Sequence, residues 1–114
     1  MTKPEVSVIV PVYNRSKMIK DCIESLIDQK TKFSYEILLS DDSSTDDTPE
    51  VLKEYQRKHR GLIRIFRTKK NVGAGGARNL AIDNAKGKVI AFIDSDCIAE
   101  KNWLSTITKD IMNT

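Results

Sequence analysis

Two carboxylates one residue apart, Asp94 and Asp96, directly follow the apolar run of residues 89–93. An uninterrupted run of apolar and β-branched residues is typical of a buried strand in a parallel sheet. Ligands of open α/β sheets bind at the carboxyl ends of such strands. Two carboxylates at that position offer hard oxygen ligands to a divalent cation that also holds phosphate. The competing interpretation is that the aspartates cap the following helix, and this segment alone does not separate the two.

A second acidic segment, residues 41–48, begins with Asp41 and Asp42 and continues with hydroxyl-bearing side chains. Residues 44–48 have the composition of a turn into a helix, because Ser, Thr and Asp side chains bond to local backbone. Asp41 and Asp42 lie nearer the end of the preceding predicted strand. At that position a carboxylate can accept hydrogen bonds from a nucleobase.

A glycine-rich segment, residues 71–79, contains Gly73, Gly75, Gly76 and Arg78. Its spacing is not that of the dinucleotide fingerprint G-x-G-x-x-G, and it does not follow the first predicted strand. One interpretation is a turn that needs positive φ angles. The other is that the glycines let the backbone approach a phosphate while Arg78 supplies a cation. Both remain open at this point.

Three further side chains have structural explanations. Tyr13 stands at a strand end, either as a core aromatic, which its position favours, or as a platform on which a base stacks. Trp103, on the last predicted helix, is interpreted either as a packing residue or as a contact surface for further chain. His59 is predicted to cap the end of a helix rather than to act as a base.

Composition restricts the class of protein. The 114 residues, 39% hydrophobic and 31% charged, predict one globular domain over residues 1–114. The net charge of +3 is scattered, without a basic stripe and interleaved aromatics, which excludes nucleic acid as the expected partner. It is compatible with an anionic small molecule.

The two cysteines, Cys22 and Cys97, and one histidine do not make a zinc site. Reduced thiols and the absence of an N-terminal signal sequence predict a cytoplasmic protein. Peripheral attachment to the cytoplasmic face of a membrane stays open. No stretch approaches the roughly 20 apolar residues that cross a bilayer.

Alternation of apolar runs with amphipathic stretches predicts βαβ units in an α/β fold, with a mainly parallel, Rossmann-like sheet in three layers. Ser16 is the expected N-cap of the first helix, and Thr48, followed by Pro49, that of the second. The predicted strands are residues 6–12, 35–40, 62–67 and 88–93, and the predicted helices are residues 16–28, a segment from 48, 77–85 and 101–112.

The polar turns after the first, second and fourth strands should meet at one edge of the sheet, by the right-handed crossover rule. That edge would gather four carboxylates, which repel one another unless a cation or hydrogen-bond donors offset their charge. This convergence favours a binding site over four unrelated caps. The residues expected there are Tyr13, Asp41, Asp42, Asp94 and Asp96.

Four motifs follow one another along the chain: VSVIVPVYN at 6–14, DDSSTD at 41–46, GGARN at 75–79 and DSD at 94–96. Each is weak alone, but the succession resembles the nucleotide-sugar-binding half of family 2 glycosyltransferases with the GT-A fold. The resemblance covers nearly the whole chain. It implies that Pro11 and Tyr13 line a nucleobase pocket, that Asp42 hydrogen-bonds the base, and that Arg78 approaches the base or the diphosphate. The resemblance of the same motifs implies that Asn14 and Ser95 also bind the substrate.

The resemblance further implies that Asp94 lies near the ribose and that Asp96, in the DXD motif, coordinates Mn²⁺ or Mg²⁺ between two phosphates. The implied reaction is inverting transfer of a sugar from a nucleotide-diphosphate sugar, UDP-sugars ranked first, to an acceptor hydroxyl. The acceptor, whether glycan, lipid or protein, stays unspecified. The metal would neutralise charge on the leaving nucleoside diphosphate.

Two departures qualify the resemblance. Ser43 stands where family members often have glycine, and the sequence ends one helix after Asp96. Because Glu100 and Asp110 belong to the terminal helix, the general base is expected beyond the C-terminus. We therefore expect the donor-binding part of a longer enzyme, inactive alone.

Two other functions compete with the enzyme. One is a non-catalytic nucleotide-binding or assembly module with the same fold. The other, a sugar nucleotidyltransferase, would need a glycine-rich basic loop after the first strand, where residues 13–16 lack glycine. Apolar area expected to be exposed near Trp103, Leu104 and Ile107 further predicts a homo-oligomer.

Overall fold

The structure is a computed structural model that describes residues 3–112. Its centre is a four-stranded sheet in the order β3-β2-β1-β4, and among the described residues every strand pairing is parallel. In the pairing register, Val6 of the first strand lies beside Tyr35 and Val89. The strands are β1 (Val6–Val12), β2 (Tyr35–Asp41), β3 (Ile63–Arg67) and β4 (Val89–Phe92).

Four helices cover the two faces of this sheet and make the three predicted layers. One face carries the larger cluster of buried side chains, which includes Cys22, Leu52 and Leu104 from three different helices. The other face carries a smaller cluster around Ile9, Leu38 and Ala81. The helices are α1 (Met18–Ile27), α2 (Thr48–Lys58), α3 (Gly73–Asp83) and α4 (Trp103–Met112).

The sequence of strand β1 is apolar without alternation, apart from the buried Ser7. All seven of its residues are buried, because β2 and β4 flank it and helices cover both of its faces. Val6, Val8 and Val10 face the larger cluster, and Ile9 faces the smaller one. A strand buried on both faces carries a continuous run of β-branched residues.

The predicted start of the first helix was wrong. It begins at Met18, with Lys17 at the N-cap position, and Ser16 lies in the preceding turn. The chain leaves β1 through Asn14, whose φ of 49° is left-handed, and the amide of Ile19 bonds to the carbonyl of Arg15 at 2.8 Å. Because of this turn, the helix begins two residues later than predicted.

The predicted cap of the second helix was also wrong. Thr48 is the first helical residue, Asp47 occupies the N-cap position, and Asp47 makes no side-chain capping bond. The Thr48 hydroxyl instead accepts a hydrogen bond from the backbone amide of Arg15 at 3.1 Å, which ties α2 to the loop after β1. The end of this helix agrees with the prediction, because His59 is its C-cap residue.

The third and fourth helices also differ from their predicted bounds. Helix α3 begins at Gly73, four residues before the predicted Ala77, so the glycine-rich segment forms its first turn. Helix α4 begins at Trp103 rather than residue 101. The expectation of an exposed apolar surface at Leu104 was wrong, since that side chain is fully buried. Trp103 packs partly buried against the core as predicted, and Ile107 is exposed. Oligomerisation stays a prediction.

A buried polar network lies on the sheet face that α3 covers. The carboxylate of Glu36 accepts hydrogen bonds from the Ser7 hydroxyl at 2.6 Å, the Lys86 amide at 2.8 Å and the Arg64 guanidinium at 2.9 Å. The Ser7 hydroxyl also accepts a bond from the Gly87 amide at 2.8 Å. The network thus fastens the segment between α3 and β4 to the sheet, and it positions β4, whose carboxyl end carries Asp94.

No helix within residues 3–112 is long and apolar enough to cross a membrane.

Candidate functional site

A cavity of about 270 Å³ opens at the carboxyl edge of the sheet. The chain passes outward from β1 to β2 and β3 and then returns to the other side of β1 as β4. The loops after β1 and β4 both contribute to the cavity, so it lies where the strand order reverses and where open α/β sheets bind ligands. Its lining residues are Pro11, Val12, Tyr13, Arg15, Asp42, Ala74, Asp94, Ser95 and Asp96.

The structure brings six of the predicted site residues to this cavity. Two others lie outside its lining: Asn14 and Arg78. At about 270 Å³ the cavity is slightly smaller than the roughly 300–1,000 Å³ of ordinary ligand pockets. It can therefore surround only part of a nucleotide-sized ligand. The six are Pro11, Tyr13, Asp42, Asp94, Ser95 and Asp96.

Tyr13 projects from the end of β1 into this cavity. Its side chain is 43% exposed, so the interpretation as a core aromatic was wrong. An exposed aromatic ring at the rim of a cavity presents a flat apolar face on which a planar ring can stack.

Asn14 joins the loop after β1 to the loop after β2. Its side-chain oxygen accepts hydrogen bonds from the amides of Thr45 at 2.8 Å and Asp46 at 3.3 Å, and its amide group donates to the Thr45 hydroxyl at 3.2 Å. The backbone amide of Asn14 in turn donates to the Ser44 hydroxyl at 2.9 Å. These bonds explain its left-handed backbone and show a structural use of the side chain.

Asp41 is a structural carboxylate and does not line the cavity. One of its oxygens forms an ion pair with Arg67, and the other accepts the Ser44 amide at 3.0 Å. Arg67 also donates to the Ser44 carbonyl at 3.1 Å. Asp41 therefore holds β3 and the loop after β2 together, and its charge is already offset.

Asp42 caps helix α3 from a different part of the chain. Its Oδ1 accepts bonds from the Val72 amide at 2.9 Å and the Thr68 hydroxyl at 3.0 Å, and its Oδ2 accepts the Gly73 amide at 2.8 Å. The first amides of a helix lack partners within it, and a negative charge at that end is favourable. Asp42 supplies the acceptor oxygens that the apolar side chain of Val72, at the N-cap position, cannot provide.

We expect Asp42→Ala to lower the free energy of unfolding by about 1–3 kcal/mol, because it leaves the Val72 and Gly73 amides without their acceptor. Urea denaturation followed by circular dichroism measures the difference. The matched control is Asp47→Ala, since Asp47 sits at a helix N-cap without a side-chain bond and should change stability by less than about 0.5 kcal/mol. Equal stability of the two variants would contradict the capping function of Asp42.

Asp94 and Asp96, in contrast, are exposed carboxylates at the mouth of the cavity. The side chain of Asp94 is 67% exposed, and Arg78, on α3, approaches it with 3.6 Å between Nη2 and Oδ1. The expected crowding of four carboxylates is thus resolved in two ways. Arg67 and the start of α3 offset Asp41 and Asp42, whereas Asp94 and Asp96 face solvent.

Cys97 extends this pair of carboxylates. One ligand atom from each of Asp94, Asp96 and Cys97 lies within 4.8 Å of the others. The thiol sulphur donates to Oδ1 of Asp96 at 3.7 Å, and partial desolvation together with the Asp96 charge raises the pKa of this thiol above its ordinary value. Cys22 is the other free cysteine in the described part of the chain, and burial raises its pKa to about 12.

The donor set fits a divalent cation. Two carboxylates that are exposed on one rim provide the oxygen ligands that Mn²⁺ and Mg²⁺ prefer, and they leave positions open for a second ligand. Asp94 and Asp96 are the residues that could hold such an ion. The interpretation of these aspartates as helix caps was wrong, because α4 begins only at Trp103.

Sequence reasoning missed three lining residues: Val12, Arg15 and Ala74. Arg15 lies in the same loop as Tyr13. Because a loop at this edge of the sheet can line the site, the positive charge of Arg15 was a signal that could have identified it. Ala74 was missed because the start of α3 was predicted too late. Ala74 lies in the first turn of α3 and lines the cavity, so the amino end of this helix lies at the cavity.

A parallel α/β sheet with its cavity at the switch point defines a class of proteins that bind ligands at the carboxyl edge of the sheet. Within that class, the chain belongs to glycosyl transferase family 2, whose family model matches residues 7–113.

Individual relatives agree with this family. The chain is 42% identical over 93 residues to a poly(ribitol-phosphate) beta-glucosyltransferase of Bacillus spizizenii, a match that covers 81% of this chain and 15% of that protein. The crystal structure of S. aureus TarS in complex with UDP superimposes with a TM-score of 0.84 at 33% identity and covers 96% of this chain and 32% of that one. The mannosyltransferase PcManGT of Pyrobaculum calidifontis, in complex with GDP-Man and Mn²⁺, has a TM-score of 0.81 at 24% identity, covers 96% of this chain and 32% of that one, and shares the fold. The chain thus spans a third or less of these proteins' length.

Proposed function

We propose that this chain binds the sugar donor of a glycosyltransferase, a nucleotide-diphosphate sugar, together with Mn²⁺ or Mg²⁺. The observation that carries the proposal is the cavity in which Tyr13, Asp42, Asp94 and Asp96 meet, although they are far apart in the sequence. A UDP-sugar is the first choice of donor, since TarS, which is similar to this chain, was crystallised with UDP.

The nucleobase end of the proposed ligand lies at the loop after β1. Tyr13, exposed at the rim, stacks on the base, and Pro11 beside it forms the apolar floor. Asp42 accepts a hydrogen bond from a base N–H. Its Oδ2 already accepts the Gly73 amide, but a carboxylate oxygen has a second acceptor site, so capping and base binding are compatible. Asn14 acts indirectly, by holding the loop that carries Tyr13.

The diphosphate end lies between α3 and the loop after β4. Arg78, at 3.6 Å from Asp94, turns toward the phosphates, and the amino end of α3 at Ala74 adds its positive dipole. Asp94 accepts from the ribose hydroxyls and Asp96 holds the cation, with Ser95 between them. When bound, such a cation would supply positive charge against the diphosphate leaving group. PcManGT, which shares this fold, was solved with Mn²⁺.

We propose an inverting transfer, in which the acceptor hydroxyl attacks the sugar on the face opposite the diphosphate. The acceptor must lose a proton to a base on that face. The carboxylates of the cavity bind the donor instead: Asp42 at the base, and Asp94 and Asp96 at the ribose and cation. The base is therefore a group outside this cavity. We also propose that a longer enzyme supplies the residues that bind the acceptor.

Calorimetry with a panel of nucleoside diphosphates, each with and without Mn²⁺, tests this function. We expect UDP to bind one site per chain when Mn²⁺ is present, and to bind at least about tenfold more weakly without it, since the diphosphate charge is then not offset. ADP and uridine are matched controls for the base and for the phosphates. Metal-independent affinity, or no discrimination among the panel, would contradict the proposal. Release of UDP by the full enzyme from a UDP-sugar would separate a transferase from a non-catalytic module.

A further inference from the structure

We propose that Cys97 is a second protein ligand of the divalent cation, beside Asp96, and shifts the preference of the site from Mg²⁺ toward softer, thiophilic ions. This inference rests on the proposed function, because it concerns the same cation that Asp96 holds. It adds to that function a soft ligand and, with it, a metal selectivity. Its basis is the geometry of three neighbouring side chains.

The distances match one shared ion. Metal–sulphur bonds are about 2.3 Å and metal–carboxylate bonds about 2.0–2.2 Å, so sulphur and oxygen on one ion lie about 3–4 Å apart. Cys97 Sγ and Asp96 Oδ1 are 3.7 Å apart. A ligand atom of Asp94 lies within 4.8 Å of both, so the carboxylate that we propose for the ribose lies beside the ion. All three side chains are exposed, so an ion reaches them without a change of fold.

The main chain holds this arrangement. The Cys97 amide donates to the Asp94 carbonyl at 3.1 Å, which folds the segment so that the thiol returns beside the carboxylates. Cys22 approaches the same Asp94 carbonyl from the core side, with its sulphur 3.6 Å from the oxygen. Buried and held there, Cys22 cannot join the exposed cluster.

When the metal ion binds Cys97, it replaces the proton on the thiol sulphur. The Sγ–H bond of Cys97 breaks, the sulphur–metal bond forms, and the proton passes to solvent water. Thiolate ligands favour ions such as Zn²⁺, Cd²⁺ and Co²⁺, whereas carboxylates alone suit Mg²⁺ and Mn²⁺. A site in which sulphur joins the Asp96 carboxylate therefore binds the first group more tightly than a site with oxygens only.

Cobalt(II) provides the direct test, since a sulphur ligand gives it a near-ultraviolet charge-transfer band that oxygen ligands do not give. We expect the reduced chain, titrated with Co²⁺ without oxygen, to develop this band. Cys97→Ser should lose it and should bind Cd²⁺ about tenfold more weakly, while its affinity for Mg²⁺ stays the same. Cys22→Ala is the matched control and should keep the band. Circular dichroism checks that both variants are folded.

The results separate this inference from the proposed function. If Mn²⁺ still supports UDP binding but Co²⁺ gives no charge-transfer band, Cys97 is not a ligand and the donor site stands. If Cys97→Ser binds Cd²⁺ as tightly as the parent chain, the inference is likewise wrong. If neither metal nor UDP binds, both proposals fall together.

Discussion

Asp96→Ala is expected to weaken UDP binding in the presence of Mn²⁺ by about 100-fold or more. Removing even an outer residue that supports a metal ligand costs about 10- to 100-fold in metal affinity, and Asp96 is proposed to contact the ion itself. The same substitution should leave metal-free UDP affinity nearly unchanged, because the loss arises through the ion. Calorimetry with Mn²⁺ and with chelator measures both values.

The fold should survive this substitution. Asp96 is exposed and its carboxylate bonds only to Cys97 among the contacts described, so its removal relieves repulsion with Asp94. Asp110→Ala, an exposed aspartate on α4, is the matched control and should bind UDP as the parent does. Equal Mn²⁺ dependence in Asp96→Ala and Asp110→Ala would place the ion elsewhere.

Glu36→Ala is expected to cost about 3 kcal/mol of unfolding free energy. Glu36 is 3% exposed, and its removal leaves the Ser7 hydroxyl and the Lys86 amide without an acceptor and the Arg64 guanidinium with only the Asn84 carbonyl. Breaking a buried ion pair costs about 3–5 kcal/mol, and the 29% exposure of Arg64 puts the loss at the lower end. Chemical denaturation measures it.

The same carboxylate gives a pH dependence. Burial alone would raise the pKa of Glu36, but hydrogen bonds from Ser7, Lys86 and Arg64 outweigh it, so the folded-state pKa lies below the ordinary 4.5. Stability from this group is therefore complete above pH 4.5 and is lost as the pH falls through the lower, folded-state pKa. Glu36→Gln should flatten the acid limb of the stability profile.

Glu54→Ala is the control for both measurements. Glu54 is half exposed and pairs with Arg57 and Lys58 on the surface of α2. Exposed pairs contribute about 0–1 kcal/mol, so this variant should unfold at nearly the same denaturant concentration as the parent. A loss in Glu54→Ala as large as in Glu36→Ala would contradict the account of the buried network.

Periodicity was sufficient to predict the layers of this fold. The bounds of β1 agree with the prediction, because a strand buried on both faces is mostly apolar, and Ser7 is the one polar residue of β1. Helix starts were predicted less well. The start of α3 depends on Asp42, about thirty residues earlier, and the start of α1 depends on Asn14 and Thr48. Capping from a distant segment has no local signal.

The departure at Ser43 illustrates the same limit. Its φ of 61° is the left-handed conformation that favours glycine. The Ser43 side chain compensates by donating to the Thr68 carbonyl at 2.8 Å, a contact between loops that follow different strands. The motif sequence therefore indicated an unusual backbone but not what stabilises it.

The location of the candidate site was predicted better than the identity of the residues that form it. The rule that carboxyl ends of parallel strands share one edge correctly brought Tyr13, Asp42 and Asp96 together. It could not distinguish Asp41, which pairs with Arg67, from the exposed carboxylates, since both kinds look alike in the sequence. Side-chain partners decide which acids are available to a ligand, and those partners lie in β3 and α3.

Paramagnetic NMR of the isotopically labelled chain with UDP and Mn²⁺ tests the central claim most directly. Manganese broadens amide signals in its neighbourhood, and Mg²⁺ provides the diamagnetic reference. We predict that broadening centres on residues 94–97 and extends to Ala74 and Arg78, while UDP shifts the signals of the loop that carries Tyr13. Broadening centred instead on another cavity, such as that of Lys30 and Lys109 beside α4, would contradict a shared cation and diphosphate site at the sheet edge.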